Sequence, residues 1–144
     1  GYVGQVGRMP TWVHAARAMA EVNAEVYPDW QLEDWLVMAK RSHKLTPEGL
    51  IVADYDGNIA QPFRAPGGEA GVDLWPAYDA LATVPTLVVR GALSDILSAD
   101  VAKRMIKRAK AAKLLTVPRV GHAPTLDEAP AVAAIDALLD AATA

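Results

Sequence analysis

The sequence predicts an α/β fold, a helical portion followed by a parallel strand-helix-strand-helix unit. Three observations carry that reading. Val84 to Val89 and Leu114 to Val117 are short apolar runs of the kind that form strands buried in a parallel sheet. Between them Val101, Ala102, Met105, Ile106 and Ala109 recur at helical spacing and define one apolar stripe. Upstream of both strands, two successive amphipathic helical patterns occupy the first third of the chain.

Taken in order, Tyr2 to Pro10 is punctuated by glycine and reads as a loop or short extended entry. Thr11 is an N-cap for a helix in which Trp12, Ala16, Met19, Val22 or Asn23, and Val26 keep the helical period to about Tyr27, before Pro28 ends it. A second helix begins near Asp29 or Gln31 and carries Leu32, Trp35, Leu36 and Ala39 to about Ser42. His43 then decorates the helix end, where a cation suits the negative terminus, and His14 is a solvated position on the first helix. Thr46-Pro47-Glu48-Gly49 is a turn by composition, and Leu50 to Tyr55 is a short strand stopped by Asp56-Gly57-Asn58.

Pro62 to Val72, with Pro66-Gly67-Gly68 inside it, is the linker, dividing the chain into a helical region at 1–72 and a core region at 73–144. Leu74 to Leu81 is a short helix leading to the first parallel strand, which Arg90-Gly91 closes. Ser98 or Asp100 caps the crossover helix. Pro130 fits the first turn of a terminal helix whose stripe is Val132, Ile135, Leu138 and Leu139.

The 144 residues, 52% of them hydrophobic, suffice for one domain with a core but not for a full eight-stranded sheet with a cap. A net charge of −3 from 14 basic and 17 acidic residues gives no drive toward nucleic acid. Lys103, Arg104, Lys107, Arg108, Lys110 and Lys113 lack interleaved aromatics and read as the solvated face of a sheet-covering helix. The absence of cysteine excludes disulfides, thiolate catalysis and cysteine metal sites, and accords with the expected cytoplasmic location. No apolar run reaches the length of a membrane span, so no membrane partner is expected. Asp54 and Asp56 are spaced like the start of a calcium loop whose other ligands are missing, so neither a metal nor a cofactor is expected. The opening GYVGQVGRMP, which does not start with methionine, reads as the start of a processed product or of a piece of a longer chain.

Two polar loops follow the two parallel strands. Asp95 lies just past the first and His122, in Pro118-Arg119-Val120-Gly121-His122, just past the second. A parallel pair joined by one crossover helix puts both loops at the carboxyl edge of the sheet, where reacting groups of open α/β sheets collect. A carboxylate and an imidazole brought there are the two accessory members of a nucleophile-His-acid triad. Their order, acid then His 27 positions later, fits a hydrolase in which Ser precedes both. Asp127 and Glu128, just beyond, favour the positive end of the terminal helix.

Over roughly its last 60 residues the chain resembles the α/β-hydrolase superfamily, specifically the C-terminal half of its capped esterase-like members. PTLVVRGALSD matches the seventh strand and acid loop, LLTVPRVGHAPTLDE the eighth strand and His loop, and Ala129 to Ala141 the closing helix. The resemblance implies hydrolysis of an ester or related acyl bond through an acyl-enzyme, Asp95 orienting His122 and His122 acting as general base and then acid. It also implies that the tryptophans Trp12, Trp30, Trp35 and Trp75, of which helical spacing makes Trp12 and Trp35 core residues first, can wall an acyl pocket. The family's nucleophile sits in a G-x-S-x-G elbow upstream of the cap, and this sequence contains no such pentapeptide. Its serines are Ser42, Ser94 and Ser98. The nucleophile and oxyanion hole are therefore expected from outside the chain, which alone should be inert. The expected partners are a small-molecule acyl substrate and either the N-terminal half of the hydrolase or a second copy in a dimer. The alternative is a non-catalytic module that self-associates or binds a partner through exposed apolar faces.

Overall fold

The computed structural model describes residues 7–61 and 73–143. The chain falls into two compact units, Gly1–Glu25 with Asp29–Gly71, and Val26–Pro28 with Val72–Ala144. The architecture is α/β, a helical cap-like region followed by a parallel strand-helix-strand-helix unit.

In the first unit, helix α1 (Trp12–Asn23) starts where Thr11 Oγ1 accepts the His14 N–H at 3.3 Å. The fully buried Ala15 and Ala16 allow close approach to helix α2 (Leu32–Ser42). Helix α1 ends at Asn23, short of the expected Tyr27. Asn23 Nδ2 donates to the Met19 carbonyl at 2.8 Å, and Pro28 disfavours helical backbone at the residue before it. Helix α2 begins with a capping box, Gln31 donating its N–H to Asp34 Oδ2 at 2.8 Å. Its buried Trp35 meets the ring of Trp30 edge-on, with centroids 4.7 Å apart.

A strand that the sequence reading lacks follows directly. His43 does not end as a helix decoration but opens β1 (His43–Leu45), which pairs antiparallel with β2 (Ile51–Ala53). The Thr46 to Gly49 turn makes the hairpin, Thr46 N–H donating to Leu50 O at 2.7 Å. The pairing stays hidden in sequence because a three-residue strand has too few positions to show alternation. Asp54 pairs with Lys44 at 2.7 Å, and Asp56 Oδ1 caps the 3-10 turn Gly57–Ala60 by accepting the Asn58 N–H. The linker expected at Pro62 to Val72 lies outside the described residues.

In the second unit, α3 (Trp75–Asp79) precedes β3 (Thr86–Gly91), α4 (Ala99–Arg108), β4 (Ala112–Val117) and α5 (Ala129–Thr143). Strands β3 and β4 are parallel, with Thr86 opposite Ala112 and Gly91 opposite Val117. The first strand starts at Thr86 instead of Val84. Pro85 has no N–H to give a ladder, and the Val84 N–H closes a turn on Leu81 O. Ser98 is the cap of α4, accepting the Val101 N–H at 3.2 Å, and the stripe from Val101 to Ala109 faces inward as its spacing predicts. On the outer face Arg104 and Arg108 lie over the Trp75 ring, 4.2 and 4.9 Å from its centroid. Helix α5 packs on both strands, but through Ala131, Ala134, Ile135 and Leu138. Val132 and Leu139, expected on the stripe, are 42% and 56% exposed. Small residues at 131 and 134 bring the helix backbone close to the sheet, which turns the larger neighbours outward. Among the described residues no helix is long and apolar enough to cross a membrane.

Candidate active site

The parallel register places the loops after β3 and β4 side by side, and backbone hydrogen bonds join them. Ala92 N–H donates to Val117 O at 2.7 Å and Leu93 N–H to Val120 O at 2.8 Å. Gly91 makes the contact possible. A Cβ there would collide with the carbonyl oxygens of Gly121 and Val120 and come within 2.8 Å of the Val120 carbonyl carbon.

Asp95 projects, exposed, from the first loop. The loop's course is set by Ser94, whose N–H bonds Gly91 O at 3.0 Å and whose Oγ accepts the Leu97 N–H at 3.0 Å. Arg90 reinforces it from the end of β3, donating to the carbonyls of Ala92, Ser94 and Leu97. The sequence reading treats Arg90 as the polar residue that closes the strand. The structure buries it.

His122 is likewise exposed, on a loop held at both flanks. Gly121 N–H donates to Val26 O at 2.6 Å, and the Tyr27 hydroxyl donates to Ala123 O. Val26 and Tyr27, read from sequence as the end of the first helix, are instead part of the second unit and clasp the His loop. Burial, with Glu128 and then Asp127 nearby, pushes the Tyr27 hydroxyl up from 10.0 to about 12, so it serves as a donor across the ordinary pH range. Glu128 does more than favour a helix dipole. Its carboxylate accepts the N–H groups of Thr125 and Leu126 at 3.0 and 2.9 Å, supporting a left-handed φ of 68° at Leu126.

Each serine is committed to local structure. Ser42 Oγ donates to Met38 O at 2.8 Å, Ser94 Oγ holds the Leu97 N–H, and Ser98 Oγ caps α4. Ser94 and Ser98 lie in the connection from β3 to α4, but neither is flanked by the glycines of a G-x-S-x-G elbow. The first unit holds a cavity of about 520 Å³ lined by Met9, Ala15, Met19, Val22, Ala53 and Tyr55, with Asn23, Ser42 and His43 as polar members. Trp12, Trp30, Trp35 and Trp75 do not line this cavity. His14 stays on the surface with Nδ1 2.8 Å from Thr11 Oγ1. Among the described residues no three His, Cys, Asp or Glu side chains gather as a metal set.

The fold recurs in solved structures. An α/β hydrolase from Novosphingobium aromaticivorans is 54% identical over 97% of this chain, with a TM-score of 0.88. The chain has an α/β-hydrolase-superfamily fold. A putative hydrolase from Rickettsia typhi, at 22% identity and a TM-score of 0.74 over 96% of the chain, shares that fold. The chain spans about half the length of these hydrolases, covering 49% and 45% of them. It is also similar to a 3-hydroxybutyrate-oligomer hydrolase of Cupriavidus necator, 43% identical over 75 residues that make up 49% of this chain and 25% of that protein. No family model matches the sequence.

Proposed function

We propose that this chain supplies the acid and the histidine of a Ser-His-Asp hydrolase acting on an ester or related acyl bond, with the nucleophilic serine contributed from outside these 144 residues. The observation that carries the reading is the joining of the Asp95 and His122 loops at the carboxyl edge of β3 and β4, in the chain order acid then His. The 54% identity to an α/β hydrolase that is about twice as long supports it.

In this reading Asp95 accepts a hydrogen bond from one ring N–H of His122 and fixes its tautomer. The other ring nitrogen takes the proton from the attacking serine as the serine oxygen bonds to the acyl carbon. The tetrahedral adduct collapses, the C–O bond to the leaving alcohol breaks, and the alcohol takes the proton from His122. Water then attacks the acyl-enzyme by the same route and the acid departs. The similarity to a 3-hydroxybutyrate-oligomer hydrolase makes short hydroxyacid esters the first substrates to try.

Intact-protein mass after exposure to a fluorophosphonate tests the division of labour. The chain alone should take no adduct. Supplied with an upstream segment bearing a G-x-S-x-G elbow, it should promote labelling of that segment, and His122→Ala should abolish the labelling. An adduct on the chain by itself that disappears in His122→Ala would overturn the proposal.

A further inference from the structure

We propose that Arg90 is a positioning residue for Asp95, a buried guanidinium that fixes the loop from which the acid projects. The inference rests on the reading of Asp95 and His122 as acid and base. Among the described residues Arg90 is the only charged side chain in the buried set, 8% exposed at the end of β3. Its planar fork spans the loop. Nε donates to Leu97 O at 2.6 Å, Nη1 to Ala92 O at 3.3 Å and Nη2 to Ser94 O at 3.4 Å. Two of these carbonyls precede Asp95 and one follows it, so a single rigid group pins the backbone on both sides of the carboxylate.

Stability alone does not call for a cation here. Parallel strands are ordinarily apolar at such positions, and an apolar side chain of similar volume avoids the desolvation that a buried charge incurs. Loop geometry does call for it. Three carbonyls spread around one plane match the fixed fork of arginine, whereas the compact ammonium of lysine cannot reach all three. The loop is also stitched to the His loop by the Ala92 and Leu93 N–H groups, so a shift at Leu97 or Ser94 changes where Asp95 stands relative to His122.

The test assays the chain together with the elbow-bearing segment on p-nitrophenyl butyrate, comparing Arg90→Lys, Arg90→Met, Asp95→Asn and the two double variants. Each Arg90 variant should lower kcat about 10- to 100-fold with KM within about twofold, the loss expected of a misplaced acid. Asp95→Asn should lower kcat about 10³- to 10⁴-fold, and adding either Arg90 change should lower it no further, because Arg90 acts through Asp95. In the chain by itself, Arg90→Met should speed amide exchange at Ser94 and Leu97 while exchange in α5 stays as in the parent. Unchanged kcat in both Arg90 variants, or losses that add to that of Asp95→Asn, would overturn the proposal. So would loss of protection throughout the second unit in both variants, which marks a purely structural group. Parental kcat in Asp95→Asn would instead remove the reading of the site, and with it the role of Arg90.

Discussion

Gly91 and Tyr27 show how single residues hold the loops, Gly91 by letting the acid loop meet the His loop and Tyr27 by bonding the His loop at Ala123 O. At Gly91 any side chain meets the backbone of the His loop, and backbone cannot swing aside as a side-chain tip can. Gly91→Ala should therefore cost about 3 kcal/mol or more, the upper range for forcing atoms into a packed interior, read as a lower urea midpoint. Tyr27→Phe removes the hydroxyl donor to Ala123 O and should cost about 1 kcal/mol at neutral pH. The same tyrosine sets a pH dependence. Its hydroxyl titrates near 12 in the folded chain against 10.0 when unperturbed, so the neutral form is the one the fold favours. Its contribution to stability is complete below pH 10 and is lost as the pH rises through 12. Urea midpoints measured from pH 9 to pH 12 should fall for the parent chain and fall less steeply for Tyr27→Phe.

At the scale of elements, the crossover helix does the most to set the loop geometry, because its length and entry decide how β4 returns beside β3. Helix α4 starts at one residue, Ser98, three positions after Asp95. Ser98→Ala leaves the Val101 N–H without its cap and should lower stability by about 1 kcal/mol, measured by chemical unfolding. The loss belongs to the second unit, so tryptophan fluorescence from Trp75 should report it, while Trp30 and Trp35 lie in the other unit. The capping pattern is local and was legible in the sequence. The hairpin of β1 and β2 was not, because its partner residues declare themselves only when Met9 adds a bridge to Ile51 and the pair gains a neighbour.

For the whole molecule the deciding feature is what remains uncovered. Among the described residues β3 and β4 form a two-stranded sheet, although parallel sheets are ordinarily flanked by more strands and covered on both faces. Ile96 is 74% exposed and Leu74 70% exposed, with Leu93 and Leu139 also outward. Such surface favours association. The chain alone should run above 15.3 kDa in light scattering, as a dimer or larger, and should shift to a defined heterocomplex when the elbow-bearing segment is added. A monodisperse species at the mass of one chain with cooperative unfolding would contradict this expectation.

Local patterns in the sequence determined the elements and the order of Asp95 and His122. Helical spacing in α4, the apolar runs of β3 and β4, and the serine and threonine caps each depend on residues within a turn or two of one another. Tertiary structure alone decided what holds the site. Arg90 looks like the polar end of a strand until its guanidinium is seen among the carbonyls of residues 92, 94 and 97. Tyr27 looks like the last turn of a helix until its hydroxyl reaches Ala123, 96 positions away. The physical reason is one of range. Helical period and capping are fixed by neighbours in sequence, whereas a buried donor is satisfied by whichever carbonyl the folded chain brings within hydrogen-bonding distance.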